Sequence, residues 1–146
     1  MDTMDTTIEK VIHLQRIEMF ADIPSEQMAH VAGIARDIRF AKGDVIFSEG
    51  DSSDALYILI DGDVKVTREK KMTRKIDKDE AFGIWGFFDR GPRLFTTEAL
   101  EDSYLLKIDS ADFFDLIEDR VHLSRGLIKY LVSKIRQLIE ETDILV

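Results

Sequence analysis

Ile8, Val11, Ile12, Leu14, Ile17 and Phe20 recur at the three- and four-residue spacing of a single helix face. Thr6 stands before them with Glu9 three positions on, the arrangement of a capping box. The pattern predicts a helix over about 8–20. Pro24-Ser25 is a second start signal. Met28, Val31, Ala32, Ile34 and Ala35 supply the apolar face that follows, with Gly33 weakening its end. The period then changes. Ile38 and Phe40 alternate with polar residues, and Lys42-Gly43-Asp44 reads as a turn. Val45-Ile46-Phe47 reads as a short strand, and 49–54 as a loop. Residues 55–60 form a continuous apolar run of strand length, and Asp61-Gly62 is a hairpin signal. Val64 and Val66 alternate with polar neighbours, Ile76 is a weaker cue, and 95–100 and 104–108 are further strands. Short strands at such regular spacing suggest a sandwich or barrel. Asp109-Ser110 then caps a helix carrying Phe113, Phe114, Leu116 and Ile117. A last helix over about 121–142 carries Ile128, Leu131, Ile135 and Leu138 in the 3-4-3 spacing of a coiled-coil-like seam.

The order is helices, an all-β block, then helices, with no internal boundary or repeat. The expected fold is α+β but mainly β: an antiparallel double-stranded β-helix of the jelly-roll or β-roll type. It is read as one domain over 1–146, with N-terminal helices at about 8–35, the β-roll at 36–109 and a C-terminal helix pair at 110–142.

Composition narrows the function. At 146 residues, 45% hydrophobic and 34% charged, the chain is a globular domain of ordinary balance. No apolar run reaches the roughly 18 residues of a membrane span, and the polar, acidic start over 1–10 is no signal peptide. Cysteine is absent, which removes thiolate nucleophiles, disulfides and cysteine metal sites and fits a cytoplasmic location. His13, His30 and His122 are scattered over helices, unlike a metal cluster, and no nucleophile–base pair stands out. The expectation is a non-catalytic protein without a metal. A net charge of −9 argues against nucleic acid as a partner. One segment runs the other way: Lys65, Arg68, Lys70, Lys71, Arg74, Lys75 and Lys78 oppose only Glu69 and Asp77. It reads as a solvated hairpin tip, or as a docking surface for an acidic partner or anionic membrane.

Two blocks carry a resemblance. Lys42-Gly43-Asp44-Val45-Ile46-Phe47-Ser48-Glu49-Gly50-Asp51, followed by Leu56-Tyr57-Ile58-Leu59-Ile60-Asp61-Gly62-Asp63-Val64, resembles the cyclic-nucleotide-binding domain family from about Ile17 to Leu138. The resemblance implies a regulatory, sensing domain. It also implies a phosphate-binding cassette of the form F-G-E, a short helix, then R-x-A-[ST]. The frame is present as Phe82, Gly83, Ile84 and Trp85, then Arg93, Leu94, Phe95 and Thr96. Its content differs. An arginine suits a phosphodiester because its planar fork makes charge-assisted hydrogen bonds, and Arg93 retains that chemistry. The family's glutamate accepts a hydrogen bond from the ribose 2′-hydroxyl, and Ile84 accepts none. Phe95 replaces a small residue that leaves room for the phosphate, and Trp85 replaces a smaller aliphatic.

The reading is a sensor for a small anion, cyclic nucleotide or other, with weak or no binding of ordinary cyclic AMP or cyclic GMP. Its alternative is a ligand-free scaffold or dimerisation module of the same fold. Arg93 reads as a ligand for that anion or as a solvated loop arginine. Thr96 and Thr97 read as strand residues or as further ligands, Thr96 being the one in the cassette frame, and Trp85, Phe87 and Phe88 as core or pocket-filling side chains. The last-helix seam either pairs with a second copy or latches onto the roll. The apolar end Ile144-Leu145-Val146 suggests a fragment of a longer protein bearing an effector domain.

Overall fold

The computed structural model describes residues 6–142. The start of the chain up to Asp5 and the apolar end Ile144-Leu145-Val146 lie outside the described residues. Helix α1 spans Thr7–Gln15 and α2 spans Ser25–Ile34, joined through a 3-10 turn at Glu18–Phe20. Eight strands follow: β1 (Ala35–Phe40), β2 (Val45–Phe47), β3 (Ala55–Asp61), β4 (Val64–Arg68), β5 (Lys71–Lys75), β6 (Ala81–Phe82), β7 (Thr96–Ala99) and β8 (Ser103–Asp109). Helices α3 (Ser110–Ile117) and α4 (Val121–Thr142) close the chain. The strands make two four-stranded antiparallel sheets, β1-β8-β3-β6 and β2-β7-β4-β5.

Strand β3 explains its own composition. Leu56 and Ile58 enter a core beneath the helices, with Leu14, Phe20, Met28, Leu106 and Phe113. Ala55, Tyr57 and Leu59 enter a second core between the sheets, with Val64, Val66, Phe82 and Leu105. A strand covered on both faces is apolar at every position rather than at alternate ones.

Three expectations change. The first helix stops at Gln15, because Ile17 is extended (φ −79°, ψ 127°) and leads into the 3-10 turn. Ile17, Met19 and Phe20 are buried through this turn, which imitates a helical period. Thr6 does cap α1, accepting from the Glu9 N–H at 3.1 Å. Second, Ala35 does not extend α2 but opens β1, opposite Ile108. Third, Asp61-Gly62 closes no hairpin. β3 and β4 belong to different sheets, and the turn carries the chain from one to the other. The true two-residue hairpin joins β4 to β5 through Glu69 and Lys70 (φ 53° and 67°), with Arg68 opposite Lys71. That type of turn needs positive φ at both centres. Here the Glu49 carboxylate, accepting from the Glu69 N–H at 2.8 Å, holds residues without the usual glycine signature.

The basic segment is this hairpin and its flank. Lys65, Arg74, Lys75 and Lys78 each pair with a carboxylate, those of Glu98, Glu80, Asp63 and Asp61. Much of its charge is therefore neutralised within the domain. Among the described residues no group of acidic and histidine side chains could hold a metal ion, and His13 instead pairs with Asp79 at 2.6 Å. No described helix is long and apolar enough to cross a membrane.

Helix α4 docks by its first three turns. Leu123 and Leu127 are buried and Tyr130 is half-buried. A side chain at Gly126 would begin 2.7 Å from Ile23, so the helix approaches the 3-10 segment at a bare position. Lys134 adds an ion pair to Glu18 at 2.9 Å. Of the seam residues Ile128, Leu131, Ile135 and Leu138, all remain 39–60% exposed, and Leu131 and Leu138 border a groove whose other wall includes Ile84, Trp85 and Phe88.

The two faces separate experimentally. Leu123→Ala is expected to cost about 2–5 kcal/mol, as other buried leucines do. Leu131→Ala is expected to change the stability of the isolated chain by less than about 0.5 kcal/mol. Urea denaturation of dilute protein checks both.

Candidate ligand-binding site

Side chains from both sheets and from the segments at Gly83 and Arg93 line a cavity of about 320 Å³, at the small end of the roughly 300–1,000 Å³ that ligand pockets span. Its floor is β-sheet: Phe47 of β2, Val66 of β4, Phe82 of β6 and Thr97 of β7. Its rim is the segment Gly83-Ile84-Trp85 on one side and Arg93-Leu94-Phe95 on the other, with Arg74 of β5 and Ile76 beside them.

Between the two rim segments the chain runs down into the helical core. Phe87 is buried there, its ring 5.3 Å from that of Phe113 and 5.0 Å from that of Phe88. The Ser110 hydroxyl, at the start of α3, donates to the Phe87 carbonyl at 3.0 Å. The loop is thus fastened to the helices on one side while it frames the cavity on the other.

Arg93 dominates the site's electrostatics. It is only 4% exposed. Nη1 donates to the Gly83 carbonyl at 2.8 Å and Nη2 to the Ala55 carbonyl at 2.6 Å. The guanidinium lies over the Phe47 ring, 4.0 Å from its centroid. Gly83 is obligatory for this geometry: its φ is +82°, and a Cβ there would fall 2.6 Å from Nη1. Arg93 enters none of the ion pairs among the described residues. Burial pulls its pKa below the ordinary arginine value, against the opposing influence of Tyr57, Asp54 and Asp51. An arginine so placed remains a cation at neutral pH. Its Nε is buried and has no hydrogen-bond partner, a costly arrangement unless something supplies an acceptor. Thr97, 1% exposed, shows the same deficit at its hydroxyl.

Seven of the eight residues singled out in the sequence border this one cavity: Phe82, Gly83, Ile84, Trp85, Arg93, Leu94 and Phe95. Thr96 does not. Its hydroxyl faces away and accepts from the Glu49 N–H at 2.9 Å. The pleat of β7 turns Thr97 and Ala99 inward and leaves Thr96 and Glu98 half-exposed. Thr97 is the threonine that faces inward, and its parity with Ala99 is the signal the sequence carries for it. Phe95 borders the cavity, with the Arg68 guanidinium 5.7 Å from its ring centroid. One other detail differs from expectation. Trp85 neither fills the cavity nor enters the core but is 60% exposed at the rim. Ile84 is half-buried against the helical core and offers the cavity no acceptor.

Residues 37–120, more than half of the chain, match the family model of the cyclic nucleotide-binding domain. The CRP-like cAMP-activated global transcriptional regulator of Mycobacterium tuberculosis is 26% identical over 129 residues, covering 85% of this chain. The aligned part is 58% of that regulator, so the chain spans little more than half of its relative's length. The N-terminal domain of a transcriptional regulator from Streptomyces coelicolor superposes with a TM-score of 0.82 at 28% identity, covering 92% of this chain and 96% of that one. The sensor domain of the transcriptional regulator DNR from Pseudomonas aeruginosa has the same fold, with a TM-score of 0.76 at 22% identity over 98% of this chain and 99% of that one.

The second cation at the rim, Arg74, is held by both oxygens of Glu80. Burial, the largest influence on Glu80, would raise its pKa. The Arg74 hydrogen bond, the Asp77 N–H and the Arg74 charge together outweigh it and leave a net lowering. A carboxylate lowered in the folded state stabilises fully above its unfolded pKa and loses that contribution as pH falls through the folded value. Glu80→Gln is therefore expected to flatten the loss of stability between about pH 5 and pH 3 relative to wild type, measured by urea denaturation at stepped pH.

Proposed function

The chain belongs to the cyclic nucleotide-binding domain family, and we propose that it is a non-catalytic sensor whose roll takes a small anion but holds ordinary cyclic AMP and cyclic GMP weakly or not at all. The observation that carries this reading is a retained cavity with a buried, carboxylate-free arginine on its wall and an isoleucine where the family's glutamate stands. The arginine supplies attraction for an anion. The isoleucine leaves a ribose hydroxyl without its acceptor, and a hydrogen bond to a charged group is worth about 1.5–3 kcal/mol. The relatives matched are mainly regulators, in keeping with a sensing role and a cytoplasmic setting.

Output in this reading runs through the helices. The loop that frames the cavity is anchored by Phe87 and Phe88 against Phe113 of α3, and α3 leads into α4. The exposed seam of Ile128, Leu131, Ile135 and Leu138 needs cover. Pairing with a second copy would bury it, at about 1.5–3 kcal/mol of gross gain per aliphatic, and an effector domain of a longer chain would receive the signal.

A ligand-free scaffold or dimerisation module is the second reading, favoured by one detail. Both terminal nitrogens of Arg93 already serve backbone carbonyls, so the arginine acts as a structural clamp without any ligand.

Calorimetric titration of the wild type with cyclic AMP and cyclic GMP is expected to show no submicromolar binding. The double change Ile84→Glu with Phe95→Ala is expected to tighten cyclic-nucleotide binding by about 10- to 100-fold, with thermal unfolding recorded in parallel because a half-buried glutamate also costs stability. In light scattering over a concentration series, the wild type is expected to dimerise and Leu131→Asp to remain monomeric. A wild type monomeric at high concentration overturns the pairing.

A further inference from the structure

The two unpartnered polar groups in the cavity define what its occupant must offer. Arg93 Nε–H and the Thr97 hydroxyl are the buried donors left without acceptors on its wall. Both atoms are closed to water in this structure, so bulk solvent does not relieve the deficit, and an occupant meets them only as neighbouring side chains of the wall shift. The charge balance is equally restrictive. Arg93 and Arg74 are the cations of the lining, and no carboxylate is part of it. Arg74 is already matched by Glu80. One net positive charge remains, and it selects a monoanion, since a dianionic phosphate monoester would carry an uncompensated charge into a low-dielectric site. The rest of the wall is hydrocarbon and aromatic: Phe47, Val66, Ile76, Phe82, Ile84 and Phe95. Thr73, the other hydroxyl in the lining, is already committed, donating to the Val66 carbonyl at 3.0 Å.

We propose that the occupant is an apolar monocarboxylic acid, with its two carboxylate oxygens taken by Arg93 Nε–H and the Thr97 hydroxyl and its hydrocarbon or aromatic body on the ring of apolar side chains. This rests on the sensor reading above and names the ligand class for the same cavity. Two donors match the two oxygens of one carboxylate, and the head carries the single negative charge that Arg93 balances. A cyclic phosphodiester has the same charge, but it brings a ribose hydroxyl and a heteroaromatic base. Those groups would lose water against Ile84, Phe82 and Val66 without gaining partners. A carboxylic acid with a hydrocarbon body brings no further polar atom.

Calorimetry on the full chain tests this, with octanoate and phenylacetate as probes, octanol and phenylethanol as their uncharged counterparts, and cyclic AMP and inorganic phosphate as competing anions. At least one carboxylate is expected to bind, and its alcohol to bind at least about 10-fold more weakly, the value of a lost hydrogen bond to a charged group. Thr97→Val keeps the shape of the side chain and is expected to weaken the carboxylate about 10-fold, while Thr97→Ser is expected to restore most of it. Thermal unfolding of both variants separates a folding defect from a binding one. An alcohol that binds as well as its acid, or a Thr97→Val that folds and binds as wild type, overturns the proposal. Binding of phosphate or cyclic AMP without either carboxylate overturns it while leaving the anion sensor standing. No binding by any anion overturns both and favours the scaffold.

Discussion

Strand β3 has helices over one face and the opposite sheet over the other, so neither of its sides meets water. That double burial sets the rest of the domain in place. Because β3 lies between β8 and β6, the helical layer and the inter-sheet core share one wall, and a change in either is felt across a single strand. The Ala55 carbonyl at the start of this strand is also where Arg93 ends. The cavity's cation is thus tied to a strand buried on both faces, whereas its other anchor, the Gly83 carbonyl, belongs to the loop.

This clamp gives the site two natures at once. A guanidinium stripped of most water must be hydrogen-bonded to be tolerated. Two backbone carbonyls and the face of Phe47 meet most of that need. They also consume the nitrogens that would make a symmetric fork to an incoming anion. What is left is Nε, buried and without a partner among the described residues.

Much of this was legible in the chain. The apolar run over 55–60 declared a strand, and the two blocks over 42–51 and 56–64 declared the roll. The residues of the degenerate cassette gather on one cavity apart from Thr96. The failures have a common cause, which is that local signals do not report the partner. Asp61-Gly62 is a sound turn signal, but nothing local states whether the chain turns back within a sheet or crosses to another. Glu69-Lys70 makes a two-residue hairpin turn against its composition because Glu49, twenty residues earlier, holds it. Ile17 and Phe20 keep helical spacing while the backbone does not. Thr97 was overshadowed by Thr96 because a motif aligned by residue type does not count pleats, and one position of shift in a strand exchanges the two faces.

Trp85 is the chain's one tryptophan, and it stands on the partition between the roll cavity and the groove beneath α4, bordering both. The indole is the strongest near-ultraviolet chromophore a protein carries, and here every photon it emits comes from that partition. The domain thus has a built-in optical probe. A shift of its emission reports water entering or leaving the rim of the cavity. Quenching by a dissolved small molecule reports how open the rim is, and depolarisation reports how tightly α4 confines it. All three are readable on unlabelled protein, and the absence of cysteine leaves any thiol introduced elsewhere as the sole attachment point for an energy-transfer acceptor.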